Sequence, residues 1–395
     1  MPTLSIVIPA YNEENSIGAT ILEVLAVKKE ILETKIGISE VEIIIVNDGS
    51  QDRTGEIVQG YPDVVLIHHR KNLGYGSALK TGFDKARGEY MGFLDADGTY
   101  PARAFLDLCR VLRETNADMV IGSRMIEKKT GMPFIRQIGN RFFARLLSWI
   151  VEHKITDSAS GMRVFKRSIL TRLYPLPDGL DLTPAMSTHA LHEGMKVVEV
   201  PIEYKERIGK SKLHVIQDGL RFLSTILHTA NLYNPLKFYG MMGLLMIFIG
   251  VLLGIMPVTY YIKLREVEDW EIYRLFTIMV LFITGINTMT FGAFSNYILS
   301  IMHRKEIHQR SFWSRYIFKP TIMKKIGLIG WLSILSSIVL NKNTIYEYVT
   351  TQHIHVHWSY ILTGATLFLT GVQLVMMSFI IKTLDNLKKR QNFFS

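Results

Sequence analysis

Cysteine is nearly absent, with Cys109 standing alone among 395 residues. An internal disulfide and a zinc cluster of cysteines are thereby excluded, and Cys109, inside an expected helix, reads as a small core residue. There is no arginine-rich tail and no stripe of basic and aromatic residues, so the formal charge of +10 does not argue for nucleic acid. Phosphate-bearing ligands or anionic lipid suit it better. The opening Met-Pro-Thr-Leu-Ser-Ile-Val-Ile-Pro has neither a basic start nor a long apolar core, and is not expected to be a signal peptide. No low-complexity segment and no internal repeat is evident. Long apolar runs are missing before position 235 and frequent after it, and the length allows two or three domains.

The first half carries short apolar runs, Leu4 to Ile8, Val41 to Val46, Val64 to Ile67 and Tyr90 to Leu94, most of them closed by turn residues. Helical stretches are expected between and after them, at about 14–30, 52–59, 76–87 and 101–115. Strands alternating with helices imply a mostly parallel sheet covered on both faces, an α/β Rossmann-like fold. Ligands of such sheets bind beyond the carboxyl ends of the strands. The unusual residues sit there: Pro9-Ala10-Tyr11-Asn12-Glu13, Asn47-Asp48-Gly49-Ser50 and Asp95-Ala96-Asp97.

Each loop has chemistry available. On an extended backbone Asp95 and Asp97 point the same way, and two carboxylates can converge on a hard divalent cation, Mg2+ or Mn2+. The competing reading is a solvated turn. Glu13 and Asp48 can accept hydrogen bonds from a ribose or a base; for Asp48 and Asp52 the alternative is helix N-capping. Arg70 to Gly76 is a basic, glycine-containing turn opening a helix, suited to a phosphate or a nucleotide edge. It lacks the third glycine of a dinucleotide fingerprint and the Lys-Ser/Thr of a Walker loop, which disfavours redox or NTPase chemistry.

Taken together, Pro9-Ala10-Tyr11-Asn12-Glu13-Glu14, Asn47-Asp48-Gly49-Ser50-x-Asp52-x-Thr54, Asn72-x-Gly74-x-Gly76 and Asp95-Ala96-Asp97 resemble the family 2 glycosyltransferases of GT-A fold. Within them the chain looks like the dolichyl- and polyprenyl-phosphate group, over about residues 3–230. The resemblance implies a nucleotide-sugar pocket of Pro9, Tyr11, Glu13, Asp48, Asn72, Asp95, Ala96 and Asp97, with the metal on Asp95 and Asp97. It also implies that Arg207, Lys210 and Lys212, in a loop like the family's Arg-x-Gly-x-Ser-Lys, cap the diphosphate; the alternative is a juxtamembrane basic patch on anionic lipid. Two departures stand out: Asn47 where many relatives have Asp, and Thr99 where many have Gln.

Downstream, a fifth strand at Met119 to Ile121 runs into Gly122-Ser123-Arg124, and Arg136 and Asn140 share a face of an expected helix at 134–151. By resemblance Arg124, Arg136 and Asn140 approach the acceptor's lipid phosphate, which Arg binds bidentately; Arg124, Asp95 and Asp97 are the catalytic candidates. Arg141 and Arg145 read as a solvated basic face. Asp157 to Arg163 resembles another family segment, with Ser160 and Arg163 structural or acceptor-side. Asp178 and Asp181 lie in a turn that can face the sugar, and Val197 to Tyr204 reads as a closing strand pair.

Three parts are expected: a glycosyltransferase domain at 1–212, amphipathic interface helices at 213–234 and a transmembrane domain at 235–395. Spans fall at about 238–262, 275–302, 324–342 and 358–381, each set against a hydrocarbon core of roughly 30 Å. Basic residues crowd 304–325 and 382–390, so the positive-inside rule places the catalytic domain and C-terminus in the cytoplasm. Gly250 and Gly254 form a small-residue pair. His353, His355 and His357 read as a polar interfacial segment more readily than as a metal site. The expected activity is inverting transfer of a hexose from a UDP- or GDP-linked sugar to a polyprenyl or dolichyl phosphate at a lipid bilayer, with no nucleic acid partner and homo-oligomerisation left open. The alternatives are extension of a polysaccharide or lipid-linked oligosaccharide, and a non-catalytic scaffold.

Overall fold

The computed structural model describes residues 2–34, 36–126, 132–151, 153–205, 215–264, 269–302 and 320–393. The chain divides into two units, Met1–Ala230 and Asn231–Ser395.

The first unit is built on a seven-stranded sheet: β1 (Thr3–Ala10), β2 (Glu40–Asn47), β3 (Val65–His68), β4 (Tyr90–Phe93), β5 (Met119–Ser123), β6 (Arg163–Lys166) and β7 (Val197–Pro201). Its order is β3-β2-β1-β4-β6-β5-β7, and only β6 runs against its neighbours. The helices are α1 (Ile17–Glu33), α2 (Thr54–Gln59), α3 (Tyr75–Lys85), α4 (Ala104–Glu114), α5 (Phe134–Val151), α6 (Leu170–Leu173), α7 (Leu182–His192) and α8 (Val215–Tyr233). β1 is apolar almost throughout because both its faces are covered. Leu4, Ile6 and Ile8 join the core with α1 and α4, while Val7 joins the opposite one with Leu79 and Phe83 of α3.

This confirms the mostly parallel α/β layout and adds a strand. β6 was not anticipated, since Arg-Val-Phe-Lys is four residues long and charged at both ends; it forms because β4 and β5 supply ladders on both sides. The expected pair of strands at 197–204 is a single strand, β7, parallel to β5. Since β2, β1 and β4 are parallel neighbours, the loops that follow them open on one rim of the sheet.

The second unit holds α9 (Pro235–Leu264), α10 (Ile272–Met302), α11 (Pro320–Thr351) and α12 (Trp358–Phe393). All four are long and apolar enough to cross a membrane, the third as a 28-residue stretch, Lys324–Thr351, longer than its apolar run suggests. α9 crosses α10 at Gly243 and Gly285, where a Cβ would lie 2.4 and 2.8 Å from the other glycine's carbonyl oxygen. α11 crosses α12 in the same way at Gly330 and Gly371, at 2.8 and 2.7 Å. In both hairpins the residue four beyond one glycine packs on the other: Ile247 and Met289 in the first, Ile334 and Val375 in the second.

The sequences follow suit. Gly240-x-x-Gly243 aligns with Gly327-x-x-Gly330, and Leu281-Phe-Ile-Thr-Gly-Ile-Asn287 with Leu367-Phe-Leu-Thr-Gly-Val-Gln373. The unit therefore contains one helical hairpin twice, which corrects the expectation of no internal repeat. The likeness is short and lies in a background of Leu, Ile and Phe; the crossing glycines make it visible.

Candidate functional site

The β1 and β2 loops are stitched together by hydrogen bonds. Asn12, at a left-handed φ of 49°, donates its N–H to Ser50 Oγ at 2.9 Å and accepts from Gln51 N–H at 2.8 Å. Glu13 N–H donates to Thr54 Oγ1 at 2.8 Å, and Asp52 accepts the Thr54 N–H at the head of α2 at 3.0 Å. Asn47, one of the two departures, accepts from Ser50 N–H at 3.0 Å and contacts His68 at 3.3 Å. It braces the loop.

Asp48 is buried and accepts three bonds: from Leu73 N–H and Gly74 N–H, both at 2.9 Å, and from His69 Nδ1 at 2.7 Å. The far nitrogen of His69 meets Thr81 Oγ1 at 2.9 Å, which fixes the ring. A carboxylate has about four acceptor positions, so these three bonds leave capacity for a nucleoside hydroxyl or base.

Asp95 and Asp97 leave the end of β4. Tyr75 OH donates to Asp95 Oδ1 at 2.7 Å, while Asp97 Oδ1 accepts from Thr99 N–H at 3.1 Å and Thr99 Oγ1 at 2.6 Å. Thr99 thus supports the second carboxylate where a Gln is common in relatives. Gly161 faces Asp95 so closely that a Cβ there would sit 2.5 Å from Oδ2. This is a cradle of oxygen donors with a bare glycine behind it. It suits Mg2+ or Mn2+, which take oxygen ligands and retain positions for phosphate and water. Among the described residues, no group of three or more His, Cys, Asp or Glu forms a fuller ligand set.

Arg124 follows β5 and is clamped by Asp157, Nε to Oδ2 at 2.7 Å and Nη2 to Oδ1 at 2.8 Å. Asn140 Nδ2 donates to the same carboxylate at 2.8 Å. Burial alone would lower the Arg124 pKa, but the facing Asp157 raises it well above the usual value, so the guanidinium stays charged. Burial would likewise raise Asp157, and Arg124 holds it below the usual carboxylate range. Glu199, pushed up by burial, accepts the Thr156 and Asp157 N–H groups and supports this loop from β7. The guanidinium also lies over the rings of Tyr100 and Tyr204, at 5.8 and 5.5 Å.

Tyr100 joins the two halves. Its hydroxyl accepts the Gly161 N–H at 2.7 Å, and Gly161 is the residue against Asp95. The 157–161 segment therefore holds Arg124 at one end and borders Asp95 at the other. Sequence reasoning brought out Asp95, Asp97, Arg124 and Asn140; it missed Tyr75, His69, Tyr100 and Glu199, and assigned Asp157 no role. Tyr75 lay in view inside the Asn72-x-Gly74-x-Gly76 turn.

The remaining candidates fall as follows. Pro9 is buried at the end of β1, Tyr11 and Glu13 are half-buried on the rim, Ala96 is buried between the aspartates, and Asn72 is exposed. Arg136 is half-buried one turn before Asn140 on α5. Arg163 is completely buried on the carbonyls of Ser158 and Ser160, and Ser160 Oγ donates to Gly122 O. Asp178 pairs with Lys80, and Asp181 accepts from Thr225 Oγ1 of α8 at 2.8 Å. Arg207, Lys210 and Lys212 lie outside the described residues.

The model of "Glycosyl transferase family 2" matches residues 5–174, and a domain of unknown function matches 235–394. A dolichyl-phosphate hexose transferase of Haloferax volcanii is 31% identical over 55% of this chain and 89% of its own length. The chain belongs to the family 2 glycosyltransferases. In this glycosyltransferase the match to a dolichyl-phosphate beta-glucosyltransferase, ALG5A, of Trichomonas vaginalis is 32% identical over 54% of the chain and 68% of that protein. The low-salt glycan biosynthesis hexosyltransferase Agl6 of Haloferax volcanii is 30% identical over 64% of the chain but only 61% of its own length, less than two thirds.

Proposed function

We propose that this glycosyltransferase moves a hexose from a nucleotide sugar to a polyprenyl or dolichyl phosphate in the membrane. The observation that carries it is the 157–161 segment: it fastens the charged Arg124 and borders the Asp95 cradle, so an anion-binding group and a cation-binding group share one wall. The dolichyl-phosphate relatives and the four apolar helices support a lipid acceptor.

An oxygen of the lipid phosphate attacks the anomeric carbon, the bond from that carbon to the diphosphate breaks, and the nucleoside diphosphate leaves with inversion. The phosphate is anionic near neutral pH, so no strong general base is needed. Glu13 and Asp48 hold the nucleoside, with Pro9, Tyr11 and Asn72 beside it. Arg124, Arg136 and Asn140 hold the acceptor phosphate. Asp95 and Asp97 would hold a divalent cation, which when bound would supply stabilisation of negative charge on the diphosphate leaving group. The catalytic domain and C-terminus face the cytoplasm, where nucleotide sugars occur.

The test incubates purified protein and Mn2+ or Mg2+ with labelled UDP-glucose, UDP-N-acetylglucosamine and GDP-mannose, each with and without polyprenyl phosphate. The expected result is label entering the organic phase from one donor, dependent on acceptor and abolished by EDTA. Label in a water-soluble polymer would overturn the acceptor assignment.

A further inference from the structure

We propose that Tyr75 is the positioning residue for Asp95, and that its turn ties the two carboxylates of the donor pocket into one mechanical unit. This rests on the reading of Asp95 as a cation ligand.

Three consecutive residues carry the link. Leu73 and Gly74 place their N–H groups on the two oxygens of Asp48, and the hydroxyl of the next residue, Tyr75, donates to Asp95 at 2.7 Å. Gly74 permits the change of direction, at a φ of 105° that few side chains tolerate. The two aspartates come from different strands, β2 and β4, yet one short turn binds both.

The turn is held from behind as well. Cβ atoms on Gly74 and Gly76 would lie 2.5 Å from the Asp178 carbonyl oxygen and 2.3 Å from that of Pro177, so the backbones are in close contact. Ser77 N–H donates to Asp178 O at 3.1 Å, and Lys80 Nζ to Leu176 O at 3.0 Å. His69, braced by Thr81, holds the same Asp48 oxygen, Oδ1, that takes the Leu73 N–H. The turn has little freedom to shift, and its Tyr75 hydroxyl inherits that rigidity.

Asp95 is then confined between the Tyr75 hydroxyl and the bare face of Gly161. The identity of the donor matters. A Lys or Arg would orient the carboxylate but offset its charge, whereas a neutral hydroxyl orients it and leaves the full negative charge for a cation. Partners of this kind, standing behind metal ligands, are commonly worth 10–100-fold in metal affinity.

The experiment uses the full chain in detergent and follows Mn2+ binding by electron paramagnetic resonance, with and without UDP or GDP. Nucleotide binding is measured separately in EDTA, together with thermal stability. Tyr75→Phe removes one hydroxyl and is expected to weaken Mn2+ binding about tenfold. Nucleotide binding in EDTA and the unfolding midpoint should stay near wild type. Tyr75→Phe binding Mn2+ as tightly as wild type, while Asp95→Ala does not, would overturn the role of Tyr75 alone. Wild-type binding in both variants would overturn the cation assignment, and the proposal with it. Loss of nucleotide binding in EDTA would show that the turn itself had collapsed, which also overturns a positioning role.

Discussion

Arg124 and Asp157, 33 residues apart in sequence, form a two-pronged ion pair at 2.7 and 2.8 Å, with the carboxylate wholly buried. Removing one member of a buried pair strands the other, at a cost of about 3–5 kcal/mol. Asp157→Asn and Arg124→Ala should each lower stability by that order in denaturant titrations of the full chain. Arg124→Lys keeps the charge but not the fork, and should recover only part of the loss.

The same loop predicts a pH signature. Asp157 has a depressed folded pKa, so its contribution is present above the unfolded value of about 3.9 and is lost as pH falls through the folded one. Glu199 runs the other way: its folded pKa is raised by burial, so its ionised form costs stability at neutral pH and that cost fades as pH falls through the raised value. Stability should rise on the acid side of neutrality and then collapse below about pH 4. Asp157→Asn should flatten the collapse, and Glu199→Gln the rise, in unfolding midpoints measured against pH.

Asp95→Ala and Asp97→Ala should insert in membranes and fold, yet lose transfer by about 100-fold or more. Label reaching the organic phase gives the readout. Near-normal transfer in both variants would remove the case for a cation on these two residues.

Gly161→Ala places a methyl group 2.5 Å from Asp95 Oδ2. Overpacking of about 1–3 kcal/mol is expected, together with loss of transfer as the carboxylate is displaced. Adding Asp95→Ala should restore the unfolding midpoint without restoring activity, which separates the clash from the chemistry.

In the membrane unit Gly285→Val and Gly371→Val should be equally disruptive, since a Cβ at either position would lie 2.7–2.8 Å from the facing carbonyl oxygen. Gly254→Ala, whose nearest neighbour would be 3.9 Å away, should be tolerated. The yield of monodisperse protein on size exclusion gives the comparison.

Much of this was legible in the residues. Alternating apolar runs and helices, with β1 apolar on both faces, specify a covered parallel sheet, and polar loops at the carboxyl ends of its strands locate the rim. Hydropathy finds the four long apolar helices, because a span must be apolar along its whole length. Asp95 and Asp97 were visible since their spacing on an extended backbone is a local property.

Tertiary structure decided what depends on neighbours distant in sequence. Strand order β4-β6-β5 recruits Arg163–Lys166 into the sheet, although the segment has little strand character of its own. The turn after β3 reaches both Asp48 and Asp95 only because β2, β1 and β4 lie side by side. The hairpin repeat emerges where helices cross, since only close backbone approach distinguishes a required glycine from an incidental one. Sequence alone determined which residues carry charge and which segments are apolar; folding determined which carboxylate faces which donor, because ion pairs and hydrogen bonds depend on distances that local periodicity does not encode.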